Sequence, residues 1–329
     1  MTADLLVDVC IEPEQTKRVV RAMQKNPTRH HFVPRFLLQN FTDPAGGLWV
    51  YDAKRKKKWK SNPHSAGYEK NLHTITREDG IIDKKTIEER VTKLYDTPGY
   101  GAVKELIKRE CLDPVRWVDF IKFVAALMVR TPKAILQIQE IGTPIMTEMA
   151  SRIVASNHEF RDNVTRELLD GGATPMDIKN ILDSLANRKI AVIPHRDFVL
   201  IQNLLVIESL SSGLLEMNWM FCSVDTSEPD LIIGDHPVLL EDIGHQYERG
   251  PLGISNPNIE IVLPLSKRMA AVANWTCEPS YGTLLPGMAA IINDRSMQLC
   301  NGFIYASEGS KELLDKLISL HGTGPKIKV

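Results

Sequence analysis

The fold class is decided at residues 218 to 224, Asn218-Trp219-Met220-Phe221-Cys222-Ser223-Val224, where the sequence changes from helical to strand-like patterning. Short runs of aromatic and β-branched residues between turn residues are typical of strands. Four similar runs follow, at 231–234, 259–263, 269–273 and 303–305. Two helices are predicted in the same region, near 288–299 and 310–320. The region from 218 to 329 is therefore predicted to be mainly antiparallel sheet with two helices.

The region before this change has helical periodicity with short connections. Helices are predicted at about 114–128, 133–156, 159–170, 175–187 and 198–216. Asp113 and Thr174 each precede a proline, which suits an N-cap followed by the first helical turn. An earlier helical pattern is expected to break at Thr97-Pro98-Gly99. Helices followed by grouped strands indicate an α+β fold.

Three segments are predicted: a helical arm at 1–27, a region at 28–217, and the mainly β region at 218–329 packed with it as one unit. The second segment opens with a short helix and a β-hairpin formed by Leu48–Asp52 and Lys57–Ser61.

The hairpin tip carries the densest run of charge in the chain, Lys54-Arg55-Lys56-Lys57-Lys58-Trp59-Lys60. Basic residues around a tryptophan suit a phosphate backbone with a base stacked on the indole. The alternative is a solvated turn. The run is the best sequence argument for a nucleic-acid or nucleotide partner, and Arg35 is a further anion-binding candidate.

Residues 30 to 41, His30-His31-Phe32-Val33-Pro34-Arg35-Phe36-Leu37-Leu38-Gln39-Asn40-Phe41, combine two histidines with a helix start and an apolar face. Pro34 fits the first turn of a helix, so both histidines are expected just before its N-terminus. Backbone N–H groups there disfavour an imidazolium, and a neutral His31 could ligate a metal or act as a base. Alternatively, one histidine packs the helix entry and the other is exposed.

This stretch resembles the opening signature, His-x-Val-Pro-x-x-x-Leu-x-x-Phe, of a large family of uncharacterised bacterial proteins that share a domain of unknown function. Further landmarks of the resemblance span about residues 28 to 307: 69–74, 130–132, 234–238 and 263–266. The chain departs from the family pattern in having histidines at His73 and His236. The resemblance implies a family and no activity.

Two charged residues on predicted helices are further candidates. Glu88 could be a base or metal ligand, although a carboxylate in a first helical turn is also stabilised by the helix dipole. Arg130 follows an apolar run and is expected to be carried inward, where a guanidinium needs a carboxylate, phosphate or carbonyl partner. A structural salt bridge and anion recognition are both open for Arg130.

Asp235 and His236 follow an apolar strand and Gly234, a position where a scaffold can hold a functional carboxylate rigidly. The alternative for Asp235 is an Asp-x-Pro turn. Asn293 and Asp294 are weaker candidates.

The first functional hypothesis is a metal-dependent hydrolase of a phosphodiester, similar to a nuclease. His31, Asp235 and His236 would hold a divalent metal, Glu88 would assist, and Arg130 would stabilise phosphate charge. The second hypothesis is a non-catalytic sensor that binds a nucleotide or other anion. No spacing matches a known metal-ligand motif, a Walker loop, a Rossmann fingerprint or a nucleophile elbow.

Composition places limits on these hypotheses. A formal charge of −1 argues against a protein that coats nucleic acid, so any such contact is a local patch. Five scattered cysteines without a Cys-x-x-Cys pair predict reduced thiols in the cytoplasm. The acidic N-terminus lacks signal-peptide character, and no apolar run approaches the roughly 20 residues of a membrane span. The oligomeric state is open.

Overall fold

The computed structural model of the chain describes residues 29–77, 80–243 and 253–322. The predicted arm at 1–27 lies outside these residues. The chain divides into a larger unit, Thr28–Ala134 with Gln202–Val329, and a smaller unit whose described part is Ile135–Ile201. The 217/218 boundary predicted from sequence falls inside the larger unit.

The helices are α1 (Arg35–Gln39), α2 (Thr86–Val91), α3 (Thr97–Ile107), α4 (Pro114–Val129), α5 (Pro132–Ser156), α6 (His158–Asp170), α7 (Pro175–Ala186), α8 (Arg196–Glu216), α9 (Met288–Leu299) and α10 (Lys311–Gly322). The strands are β1 (Arg29–His31), β2 (Leu48–Asp52), β3 (Lys57–Ser61), β4 (Tyr68–Lys70), β5 (Ile75–Thr76), β6 (Ile82–Asp83), β7 (Asn218–Ser223), β8 (Ile233–Gly234), β9 (Leu239–Asp242), β10 (Ile259–Ser266), β11 (Met269–Asn274), β12 (Ser280–Thr283) and β13 (Phe303–Ala306). About 50% of the chain is helical and 19% is strand, which confirms the α+β prediction.

The largest sheet of the larger unit has the strand order β12-β7-β11-β10-β9. Every neighbouring pair is antiparallel except β12 with β7. The β10 and β11 strands are almost entirely buried, as their uninterrupted apolar runs require. The predicted hairpin forms as β2 and β3, with Asp52 opposite Lys57.

A second sheet pairs the hairpin from the N-terminal part of the chain with a strand from its C-terminal part. Its order is β3-β2-β13-β8, so the C-terminal strand β13 inserts between the N-terminal hairpin and β8. Tyr51, Ile304 and Leu317 are fully buried in the apolar cluster beneath it. This insertion places the hairpin beside the segment that follows β8, which contains Asp235.

The two histidines of the opening stretch precede a helix as predicted, since α1 begins at Arg35, but they lie in a strand rather than directly at the N-terminus of that helix. In β1, His30 pairs with Glu69 and His31 pairs with Tyr68 of the antiparallel strand β4. Successive side chains of a strand point to opposite faces. His30 and His31 therefore face different surroundings.

The predicted break at Thr97-Pro98-Gly99 is also wrong, because the helix continues through it. A π-helical stretch, Thr92–Asp96, connects α2 directly to α3. Its wider turn accommodates Pro98, which has no N–H to donate, near the start of α3. The wider turn also rotates Asp96 relative to a regular helix.

Gly99 permits α3 to approach α4 closely. A Cβ atom at Gly99 would lie 2.5 Å from Cγ of Phe123, which is fully buried, whereas one at Gly101 would meet only the flexible Arg116 guanidinium. We expect Gly99→Ala to lower the free energy of unfolding by about 1–3 kcal/mol through overpacking. Gly101→Ala should be neutral or stabilising by up to about 1 kcal/mol, because alanine favours helix. Urea unfolding of both variants measures this difference; equal effects would contradict the close packing at Gly99.

The smaller unit contains most of α5, then α6 and α7, around a cluster of four apolar side chains: Val154, Leu168, Ile178 and Leu182. Thr174 caps α7 as predicted, and Asp177 completes a capping box with it.

The helix α8 has the length and composition of a membrane span, with a window of mean hydropathy 1.6 that is 33% buried. No such segment is expected from the apolar runs of the sequence. Within the larger unit, Glu208 of α8 pairs with Lys122, and Asn203 donates a hydrogen bond to the Val129 carbonyl. A core helix of a soluble protein meets the same criteria of length and composition.

Candidate functional site

Polar side chains of the larger unit gather at two neighbouring places. The first, the polar centre, consists of His30, His73, Glu88, Asp96 and Arg130. Its members come from β1, the segment after β4, α2, the π-helical stretch and the end of α4. His30, His73 and Arg130 are almost completely buried. Such a buried group of ionisable side chains requires internal partners.

His30 has a structural role in this centre. Its Nδ1 accepts a hydrogen bond of 2.7 Å from the His73 backbone N–H, and its Nε2 lies 3.0 Å from the Lys84 carbonyl oxygen. These partners fix a neutral ring whose proton is on Nε2. The His30 ring also stacks on the His73 ring, with centroids 5.4 Å apart.

His73 and Glu88 form a histidine–carboxylate pair through Nδ1 and Oε2. Burial favours the neutral form of Glu88, but the hydrogen bond with His73 and the positive charge of Arg130 hold its pKa below the usual range. The ionised carboxylate accepts the Nδ1 proton. Nε2 of His73 has no hydrogen-bond partner among the residues that the structure describes.

Arg130 is buried as predicted, with an exposure of 1%, and it pairs with Asp96. Its Nη1 donates to Oδ1 of Asp96 at 2.6 Å, and its Nε donates to the Phe32 carbonyl at 3.2 Å. Burial raises the pKa of Asp96 against the opposing charge of Arg130. Arg130 therefore forms the structural salt bridge that was one of its two predicted roles.

His31 lies on the other face of β1, and its partners are basic. Nε of Arg35 donates to Nε2 of His31 at 3.3 Å, and Nη1 of the same guanidinium lies 3.3 Å from Nδ1 of His64. Burial first, and then the charge of Arg35, lowers the pKa of His31 to about 4. His31 is thus neutral as expected, but burial and Arg35 are the causes rather than a helix N-terminus.

The second place is the hairpin cavity, an opening of about 380 Å³ beside the β2–β3 hairpin. Its apolar walls include Phe32, Val50 and Phe303. Its aromatic and charged lining comes from the hairpin, from β4 and from the segment after β8: Arg55, Trp59, Tyr68, Glu69, Lys70 and Asp235. The cavity therefore combines stacking surfaces with cations.

The structure divides the predicted basic tip between several surroundings. Only Arg55 and Trp59 of the run line the cavity, and Trp59 is 38% exposed. Lys58 donates to the Gly309 carbonyl, and Lys60 pairs with Asp43 at 2.7 Å. The remaining lysines of the run are Lys54, which acts on Asp235 through its charge, and the exposed Lys56 and Lys57.

Asp235 is held by backbone amides of the loop that precedes and enters β13. Its Oδ1 accepts from the Asn301 N–H at 2.6 Å and its Oδ2 accepts from the Phe303 N–H at 3.0 Å. Burial raises the pKa of Asp235 to about 6, although these hydrogen bonds and the charges of Lys133 and Lys54 act to lower it. Asp235 therefore holds the cavity wall in place and has an unusually basic carboxylate.

His236 has yet another environment. Its Nδ1 lies 2.8 Å from the Thr131 hydroxyl, and burial, with a smaller effect of Lys133, lowers its pKa to about 3. The weaker candidates have ordinary structural roles: Asn293 bonds the backbone of Ile232 and Asp230, and Asp294 pairs with Lys316.

The predicted metal ligands do not assemble in this structure. Within the described ranges, one group alone offers three ligand atoms within 4.8 Å of one another, namely His30, His73 and Glu88. His31, Asp235 and His236 form no such group. Both ring nitrogens of His30 already serve backbone groups, so even this cluster does not fit a three-ligand metal centre.

Two of the predicted site residues, Glu88 and Arg130, lie in the polar centre, but their closest partners, His73 and Asp96, were not predicted. His73 was noted only as a departure from the family pattern. The sequence around Asp96 does not predict its pairing with Arg130, because Asp96 lies in the π-helical stretch, which was not predicted. Tyr68 and Lys70 are ordinary residues in sequence, and only the pairing of β4 with β1 makes them part of a site.

These features define an α+β protein with a buried polar centre and an open cavity lined by aromatic and basic side chains. The chain belongs to a family described as a protein of unknown function (DUF4238), which matches residues 29–310. The resemblance inferred from sequence is thereby confirmed at the level of the family. No curated protein and no solved structure matches the chain.

Proposed function

We propose that the chain binds a phosphate ester that carries an aromatic ring, a nucleotide or single-stranded nucleic acid, in the hairpin cavity. The observation that carries this proposal is that Arg55, Lys70 and Trp59 line one cavity. The side-chain cations attract a phosphate group, and the face of the indole ring can stack on any nucleobase. The half-exposed Trp59 ring has a free surface for such a contact.

The charges around the cavity favour an anion. Arg55 and Lys70 line it directly, and Lys54 and Lys133 act on its wall through Asp235. The opposing carboxylates are Glu69, which is exposed, Asp235, and Asp52, which lies 3.6 Å from Arg55. Four cations against three carboxylates leave a small local positive balance in a chain whose formal charge is −1.

Neighbouring residues of opposite charge give the proposal a signed test. We expect Lys70→Gln to weaken binding of a short single-stranded oligonucleotide and Glu69→Gln to strengthen it, each by roughly threefold to tenfold at low salt. Trp59→Ala should weaken it about 5- to 100-fold, the size of one stacking contact. Lys179→Gln, an exposed lysine of the smaller unit, is the charge-matched control.

Fluorescence anisotropy at several salt concentrations measures these affinities. Binding should weaken as salt increases, with a shallower slope for Lys70→Gln because one phosphate contact is lost. Shifts of the same sign in the Glu69 and Lys70 variants, or an unchanged Trp59→Ala, would contradict binding in this cavity.

A second candidate is hydrolysis of a bound phosphodiester, and Asp235 is the observation that favours it. A carboxyl whose pKa is raised to about 6 can exchange a proton near neutral pH, and this one lies in the cavity wall. This candidate role assigns the proton transfer to the Asp235 carboxyl itself. Asp235→Asn should abolish cleavage of an oligonucleotide while anisotropy still detects binding; equal cleavage by wild type and variant would exclude this role.

A further inference from the structure

The basic face of β1 continues past the hairpin cavity. Arg29 and His31 lie on this face opposite Lys70 and Tyr68, according to the β1–β4 register. The Arg29 guanidinium lies 4.9 Å from the Tyr68 ring centroid, and the His31 ring centroid lies 5.6 Å from it. Tyr68 also lines the cavity, so one side chain borders both places.

Beyond Tyr68 lies a cluster formed by Arg35, His31 and His64, called here the arginine–histidine cluster. The Arg35 guanidinium contacts one ring nitrogen of each histidine, at 3.3 Å in both cases. Phe32 and Ser65, the chain neighbours of His31 and His64, both line the cavity. The cluster therefore adjoins residues that line the cavity.

Among the described residues, the cations of this face form no ion pair, although the Glu88 carboxylate acts on His31 from beyond ion-pair distance. No carboxylate lies within 4.0 Å of Arg29, Arg35 or Lys70 in the described part of the chain. Arg130, by contrast, has Asp96. Arg35 and His64 are exposed, so an external anion can reach them. The Arg35 guanidinium presents planar donors to phosphate oxygens, and His31, whose Nε2 accepts a hydrogen bond from Arg35, holds that guanidinium in place.

We propose that the arginine–histidine cluster is a second phosphate subsite, so that the ligand of the hairpin cavity is a chain of at least two nucleotides. This inference rests on the proposed function, since the cavity holds the first nucleotide. The first phosphate meets Arg55 and Lys70, a base stacks on Trp59, and the next phosphate meets Arg35. Recognition uses backbone phosphates and one base face, so it is independent of base sequence.

The test compares thymidine 5′-monophosphate with a thymidine dinucleotide that carries a 5′-phosphate. In wild type the second phosphate should tighten binding roughly tenfold, the effect of one charge-assisted contact. Arg35→Gln should reduce this gain to less than about threefold, whereas Trp59→Ala should weaken both ligands by a similar factor. Arg166→Gln, an exposed arginine of the smaller unit, should keep the gain. A full tenfold gain in Arg35→Gln would overturn the subsite.

A second measurement separates this inference from the proposed function. Inorganic phosphate is titrated while the imidazole resonances of His31 and His64 are followed by NMR. Shifts in wild type that are absent in Arg35→Gln support the subsite even if neither nucleotide binds, in which case the proposed function alone fails. Unshifted resonances in wild type would overturn the subsite.

Discussion

Replacing Arg130 by methionine is expected to lower the free energy of unfolding by about 3–5 kcal/mol, because it leaves a buried carboxylate without its partner. Arg130 is 1% exposed and donates to Asp96 at 2.6 Å. The methionine also removes the bond to the Phe32 carbonyl, next to β1. Urea unfolding near pH 7 measures the loss.

Two further variants identify the mechanism. Arg116→Met removes an arginine whose side chain is 39% exposed and whose ion pairs lie at the surface, so it should cost less than about 1 kcal/mol. Adding Asp96→Asn to Arg130→Met should recover part of the loss, because no buried charge then remains. If Arg130→Met costs no more than Arg116→Met, the buried pair is not what stabilises this region.

The loss in Arg130→Met should also depend on pH. Burial already raises the pKa of Asp96 in the wild type, and loss of the guanidinium raises it further. A carboxyl with a raised pKa in the folded state destabilises at pH values above its unfolded pKa and ceases to do so when it is protonated. The difference between wild type and variant should therefore shrink as the pH is lowered.

The second large effect is the loss of stability on mild acidification, and it depends on two buried histidines. The folded-state pKa is about 4 for His31 and about 3 for His236, against an ordinary value of 6.5. Between pH 6 and pH 5 the unfolded chain protonates both histidines and the folded chain protonates neither. Each one therefore lowers stability by up to about 1.4 kcal/mol per pH unit as the pH falls.

Asp235 acts in the opposite direction over the same range. Its pKa is about 6 in the folded protein, so the folded state takes up a proton that the unfolded state, with an ordinary value of 3.8, does not. The three groups together release about one net proton on folding near pH 5.5, because two histidines outweigh one carboxyl. Removing one histidine should nearly cancel their combined contribution.

The experiment compares the pH slope of the unfolding free energy in wild type and His236→Gln. Contributions from all other groups are shared, so the slopes should differ by about 1.4 kcal/mol per pH unit between pH 5 and pH 6. His31→Gln should give a similar difference. His158→Gln, an exposed position at the start of α6, should retain the wild-type slope. Parallel curves for His236→Gln and wild type would exclude a neutral buried His236.

Local patterns were enough to predict the secondary structure of most of the chain. Asp113 and Thr174 cap helices as expected, because a side-chain oxygen beside free N–H groups acts within a few residues. The runs at 218–224 and 269–273 form internal strands of the largest sheet, because a continuous apolar run is stabilised when both of its faces are buried. Arg130 was correctly predicted to be buried from the apolar helix that precedes it.

Tertiary structure alone decided which of these elements meet. The insertion of β13 between β2 and β8 places Asp235 in the wall of a cavity made by the hairpin. The β1–β4 pairing sends His30 to the polar centre and His31 to Arg35, although the two residues are adjacent in sequence. The pairing of strands that are distant in sequence depends on the packing of the whole sheet. Local periodicity therefore does not predict which strands pair. The sequence by itself thus determined the family and most of the elements, and the pairing of distant strands determined the candidate site.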